Sequence, residues 1–200
     1  MTTDEAGQPS NGEARVSCIA NVLVRLEHGG VHVWLLRKHA KWNDWSLVGG
    51  HVEPEEVSDW KRAAEREAAE EMAPLASGTD FWLTELPFGE TRWGPELAVA
   101  AGGRPTFYRA RWYLLSFAQS AERALASLGD PDDFILVHED QLLSSNPSEA
   151  GHPISSLAIK LRTMLAELSP TVSRELVSGR LEPHDGDAEG GARVRQHLAG

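Results

Sequence analysis

"GGHVEPEEVSDWKRAAEREAAEEM", residues 49–72, decides how this chain is read. It opens on a glycine pair, crowds acidic residues together, and from 57 to 73 contains neither glycine nor proline. Good helix formers dominate that second part, so a helix over 57–73 is expected, stopped by Pro74. At about 100° per residue, Glu67, Glu70 and Glu71 share an arc of roughly 100°, while Glu65 points away. Val57, Ala64, Ala68 and Met72 form an apolar stripe beside that arc, suited to packing on a sheet. Carboxylates gathered on one helix edge raise each other's pKa unless a cation compensates, which points to a hard divalent metal. The competing reading is a solvated helix face, with Arg66 pairing to Glu70 and Arg62 to Glu65. The glycine pair favours the metal, because backbone without Cβ can approach an ion or a phosphate closely.

Working outward, "VSCIANVLVRLEHGGVHVWLLRK" at 16–38 reads as two strands around a Gly29-Gly30 turn. The loop "HAKWNDW" and a short strand lead into the glycine pair. Downstream, "FWLTELPF" and "TFYRARWYLLSF" read as strands separated by a glycine-rich loop at 94–105, and "FILV" at 134–137 as a shorter one. Residues 153–167 have the pattern of an amphipathic helix, and Ser169-Pro170 would cap a short third helix ending at Gly179. Residues 1–14 read as a disordered leader, 15–167 as the folded domain, and 168–200 as a short helix with a flexible tail. Strands interleaved with a few helices give an α/β (α+β) sandwich, helices covering a mixed sheet.

Composition narrows the partners. Nineteen basic against 30 acidic residues leave a formal charge of −11, which disfavours broad nucleic-acid or anionic-membrane binding but not a small phosphorylated ligand held through metal. No apolar run approaches the ~18 residues of a membrane span. Cys18 is the single cysteine and can form no internal disulfide, which fits a reducing compartment and a cytoplasmic protein. Monomer and homodimer are both open.

The stretch resembles the signature of the Nudix hydrolases: glycine, five residues, glutamate, seven residues, Arg-Glu, an aliphatic, any residue, Glu-Glu, any residue, glycine, aliphatic. Gly50 followed by "HVEPE" and Glu56 matches the first part, and "REAAEE" at 66–71 the second. "WSLVGGHVE" is similar to the approach to that signature. The chain departs from it in three places. Nine residues, not seven, separate Glu56 from Arg66, so counting back from Arg66 puts Ser58 where the glutamate belongs. Ala68 replaces a larger aliphatic, and Ala73-Pro74 replaces the closing glycine and aliphatic. The expectation is a bulge before the helix that leaves Glu56 in place, with Trp60 over or beneath the site.

The resemblance implies a Nudix-like α/β/α sandwich and a Mg²⁺- or Mn²⁺-dependent hydrolysis of the pyrophosphate bond in a nucleoside diphosphate linked to another group. It implies Glu67, Glu70 and Glu71 as metal ligands, with Gly50 contributing its carbonyl. Glu67, Arg66 and Glu56 would be the catalytic set, Glu67 a base candidate and Arg66 orienting Glu56 or Glu67. A ligand from outside the signature would come from Glu122, Asp130, Asp132, Asp133 or Glu139. Trp42, Trp45 and Trp93 stand in or beside loops that could flank a base, His51 adjoins the glycine pair, and Arg37, Lys38 and Lys41 could draw in phosphates. "HDGDAE" at 184–189 reads as solvated tail. The alternative to an enzyme is a catalytically silent module of the same fold that binds a nucleotide or a protein.

Overall fold

The computed structural model describes residues 14–28, 31–39, 41–87, 89–98, 103–138, 148–149, 152–155, 158, 160 and 161. One long strand organises it. β1 (Arg15–His28) pairs along its first part with β4 (Val48–His51), antiparallel, and with β7 (Arg104–Phe117), parallel; its last part pairs antiparallel with β2 (Val31–His39). β3 (Asp44–Ser46) and β8 (Phe134–His138) attach to β2, and β5 (Phe81–Glu85) and β6 (Thr91–Ala98) to β7. The result is a mixed eight-stranded sheet, with β9 (Ser148–Glu149) and β10 (His152–Pro153) as a separate small pair.

Both faces of that sheet are covered, which is why β1 is buried at every position from Ile19 to Val24. Alternation then sorts its side chains. Ala20, Val22 and Val24 pack under helix α1 (Trp60–Glu71) with Trp60, Ala64 and Met72. Ile19 and Leu23 face the other way, into a second core with Trp34, Trp45 and Leu36. Ile154, Ala158 and Leu161 close that second core. A short helix α2 (Ala121–Ala126), absent from the sequence expectation, buries Ala124 against the first core.

Three expected elements shift. α1 begins at Trp60 rather than 57 because Asp59 caps it, its Oδ1 accepting from the Arg62 N–H at 3.1 Å. Val57 therefore lies outside the helix and is exposed, and Ala63 and Trp60 take its place in the buried stripe. The expected loop at 94–105 is mostly strand: β6 runs to Ala98 and β7 starts at Arg104. Residues 152–153 are strand and Ile154 bridges Trp45, so the expected helix at 153–167 begins later; Ala158, Lys160 and Leu161 are helical, and 162–167 lie outside the described residues. The Gly29-Gly30 turn, residues 1–13 of the leader and the whole of 168–200, the third helix included, also lie outside them. Among the described residues, no helix is long and apolar enough to cross a membrane.

Glu90 ties β6 to β7. It accepts from Arg92 Nε at 2.6 Å and from Arg109 Nε at 3.0 Å, and the Arg109 guanidinium lies 5.7 Å from the Trp60 ring centroid. Arg109, and then Arg92, hold the Glu90 carboxyl down at about 2. A folded pKa below the unfolded value of about 4.3 adds stability at neutral pH that is lost as pH falls through the folded pKa. Glu90→Gln should therefore melt below the parent protein at pH 7, with a deficit that narrows between pH 5 and pH 3 in thermal scans. A deficit constant over that range would mean the pair contributes through packing alone.

Candidate functional site

The site forms where β4 delivers the chain to α1. Gly49 and Gly50 stand opposite Asn21 and Ala20 in the β1–β4 ladder. Gly49 has φ +124°, and a Cβ there would lie 2.2 Å from the Ala20 carbonyl oxygen. Gly50 has ordinary backbone, but a Cβ on it would meet Glu67 Oε2 at 2.4 Å, so this glycine leaves the space that the Glu67 carboxylate occupies. The two substitutions should separate cleanly in urea denaturation. Gly49→Ala forces a strained φ and a clash with backbone and should lose about 2 kcal/mol or more. Gly50→Ala needs only a side-chain end to move and should stay near the parent.

Pro54–Glu56 form a 3₁₀ turn, residues 57 and 58 a further turn, and Asp59 starts α1. The two extra residues are thus absorbed before the helix, and Glu56 is turned back against it, only 7% exposed. Its partner is Arg66, whose Nε and Nη2 donate to Glu56 Oε1 and Oε2 at 3.0 and 2.9 Å. The same guanidinium reaches Glu67 Oε1 at 2.8 Å, Glu70 Oε2 at 3.5 Å and the His51 carbonyl at 3.1 Å. Arg66 holds the Glu56 carboxyl below the usual carboxylate range, and Glu56, then Glu67, make the guanidinium harder to deprotonate.

One helical turn on, Glu71 accepts from the Gly49 N–H at 2.9 Å through Oε2 and from Arg37 Nη1 at 2.7 Å through Oε1. Burial nevertheless pushes its carboxyl up; the Gly49 N–H and the Arg37 charge oppose this, and the Glu67 charge adds to it. Glu67, Glu71, Gly49 and Gly50 line one end of a cleft of about 640 Å³, within the range of small-molecule sites. Its floor continues over Asn21 and Ser17 of β1 to Tyr108 of β7 and Trp93 of β6, stacked on each other with centroids 5.3 Å apart. Lys160 and Glu96, paired at 2.8 Å, stand at that far end.

The remaining expected residues divide. Glu70 is exposed and does not line the cleft; it meets Arg66 instead. Trp60 is core beneath the site, and Trp45 belongs to the second core. Trp42 stands exposed at the cleft rim with Lys41 5.0 Å from its ring centroid. Arg37, expected to draw in phosphates, is engaged with Glu71, and Lys38 lies 6.0 Å from the Trp45 ring centroid. None of Glu122, Asp130, Asp132 or Asp133 lines the cleft, and Glu139 and 184–189 lie outside the described residues. Among the described residues, no three acidic, His or Cys side chains already stand around a common point as a metal cage; Arg66 and Arg37 engage the carboxylates. Ser17 and Asn21 escaped the sequence reading, although two polar residues four apart in the otherwise apolar run 16–24 mark one face.

Compared with known proteins, residues 18–153 match the profile of the NUDIX domain. Among solved structures, the chain resembles NrtR of Shewanella oneidensis at 16% identity and a TM-score of 0.51, covering 90% of this chain and 85% of that one. The same protein complexed with a 27mer DNA gives 16% and 0.50, covering 90% and 82%. The Ap4A hydrolase of C. elegans gives 17% and 0.45, covering 81% and 96%. At these identities the likeness is one of fold. No curated protein matches the chain in sequence.

Proposed function

The chain belongs to the NUDIX domain family, and from that footing we propose that it is a Mg²⁺- or Mn²⁺-dependent hydrolase of the pyrophosphate bond in a nucleoside diphosphate linked to another group. The observation that carries this reading is the joining of Glu67 and Glu71 at one end of a cleft of nucleotide size, beside backbone freed of Cβ. The donor set suits a divalent metal: hard carboxylate oxygens, one of them raised by burial, and two guanidinium cations already drawn to them. Glu67 and Glu71 would hold the ion, with Glu70 and the Gly50 carbonyl as further donors. A bound ion would neutralise charge on the diphosphate and acidify the attacking water.

The chain's own residues then have distinct tasks. Arg66 fixes Glu67 through Oε1 and is itself fixed by the two-pronged bond to buried Glu56. Glu67, directly over Gly50, is our candidate to take the proton from water. Arg37 stands at the cleft wall on Glu71 and adds positive charge where phosphate oxygens would lie.

A second reading has one observation behind it: the fold likeness extends over 90% of this chain to NrtR, one structure of which holds a 27mer DNA. On that reading this chain would sense a nucleotide without turning it over. The formal charge of −11 weighs against contact with DNA, and the Glu56–Arg66–Glu67 linkage, kept despite the two-residue insertion, weighs against a decayed site. A panel of nucleoside diphosphate derivatives with Mg²⁺ or Mn²⁺, read by mass spectrometry, separates the two. Turnover of at least one, and a melting temperature raised by the ions, is the expected result. Ligand-induced stabilisation with no turnover across the panel would favour the sensor.

A further inference from the structure

Two polar atoms on the cleft floor have no work within the described protein. Asn21 is 2% exposed and Ser17 4% exposed, and among the described residues Asn21 Nδ2 and Ser17 Oγ have no hydrogen-bond partner. Both residues line the cleft. An unpaired buried polar atom is unfavourable by itself, so a strand that keeps two of them on one face invites an external partner. Arg15 and Ile19 share that face of β1, Thr106 and Tyr108 adjoin it on β7, and of the charged groups lining the cleft Arg37 and Lys160 are engaged with Glu71 and Glu96. What meets Asn21 and Ser17, a neutral amide and a hydroxyl, is therefore a group that can hydrogen-bond.

Their spacing says which. Asn21 is the ladder partner of Gly49, one strand away from the carboxylate end, about 5 Å. Ser17 lies four residues earlier on β1, roughly 13 Å further along at strand rise, and is the ladder partner of Tyr108. A nucleoside diphosphate laid from Glu67 along β1 would bring its sugar to the first and its base to the second. We infer that Asn21 and Ser17 form a two-point reader of the nucleoside, Asn21 donating to a sugar oxygen and Ser17 bonding the edge of the base. This rests on the proposed diphosphate-cleaving reading of the same cleft, and it assigns the specificity to β1.

The test uses the full chain, Mg²⁺ and three non-hydrolysable probes in titration calorimetry: methylenediphosphonate, ribose 5-(α,β-methylene)diphosphate and α,β-methylene-ADP. Asn21→Leu should weaken both sugar-bearing probes about tenfold and leave methylenediphosphonate unchanged. Ser17→Ala should weaken only α,β-methylene-ADP. Asn21→Leu should also melt no lower than the parent, since an orphan amide gives way to an apolar side chain of similar size. Should Leu not fit, Ser17→Ala still decides the matter through its selectivity between the sugar and nucleoside probes. Parent-like affinity of both variants for all probes, or equal losses on bare methylenediphosphonate, would overturn the two-point reader while leaving the diphosphate reading intact. Failure of the unaltered protein to bind any of the three would instead overturn the diphosphate reading and the reader with it.

Discussion

Glu71→Gln should lower kcat by 100- to 10,000-fold on whichever diphosphate the panel identifies, while Glu65→Gln, six residues away, changes it by less than about threefold. That loss corresponds to about 3 to 5.5 kcal/mol of barrier, the scale expected when a group stabilising developing phosphate charge is removed. Glu67→Gln should fall in the same range, because Glu67 and Glu71 line the cleft together. Glu70→Gln should lie between, since its side chain is 61% exposed and reaches only Arg66, at 3.5 Å. Stability should separate from activity. Burial and the Glu67 charge already disfavour the ionised Glu71 carboxyl, so a neutral amide there should leave the melting temperature unchanged or higher. If the acidic edge were only a solvated face, the four variants would share one rate and shift stability by a few tenths of a kcal/mol. Equal kcat values for Glu65→Gln and Glu71→Gln would remove the basis for a metal at this edge.

The sequence reading reached the hairpin, the mixed sheet, the helix and the acidic edge because each is written in local composition: apolar runs in β1 and β7, helix formers after the glycine pair. It misplaced the helix start because no glycine or proline marks Val57 and Ser58 off from the helix, whereas the boundary is set by one cap, Asp59, and by the burial of Trp60. It placed a loop at 94–105 because Gly94 and Pro95 look like breakers, yet both sit within β6, where the ladder with β7 shifts register between Trp93 and Glu96. Pairing with β7 overrides local preference there. Wheel geometry grouped Glu67, Glu70 and Glu71 as equals, but a wheel has no neighbours. Arg37, 34 residues away on β2, and the Gly49 N–H draw Glu71 inward, and Glu70 remains in solvent. The cleft floor could not be read at all, since Ser17 meets Tyr108 only through the parallel β1–β7 pairing of strands far apart in sequence.

Arg66→Gln should damage both stability and rate, and a double mutant should separate the two. The guanidinium is one clamp on three carboxylates, and its bidentate bond to Glu56 is the most sheltered: side-chain exposure is 31% for Arg66 and 8% for Glu56. Removing it strands an ionised carboxylate against the protein, a loss of about 1 to 3 kcal/mol once the partly exposed guanidinium is allowed for. It also frees Glu67 from its 2.8 Å tether, so kcat should fall by about 100-fold from lost orientation. Arg66→Lys should recover part of the stability and little of the rate, because an ammonium supplies charge but not the forked geometry that spans Glu56 and Glu67. In Arg66→Gln/Glu56→Gln the stranded charge is gone. Urea denaturation should then show most of the stability restored, with a coupling energy above 1 kcal/mol across the cycle, while kcat stays low because Glu67 is still untethered. Additive stability losses would mean that Glu56 and Arg66 act independently. A double mutant that regains rate along with stability would show that Arg66 serves the fold alone, and that Glu67 keeps its place over Gly50 without it.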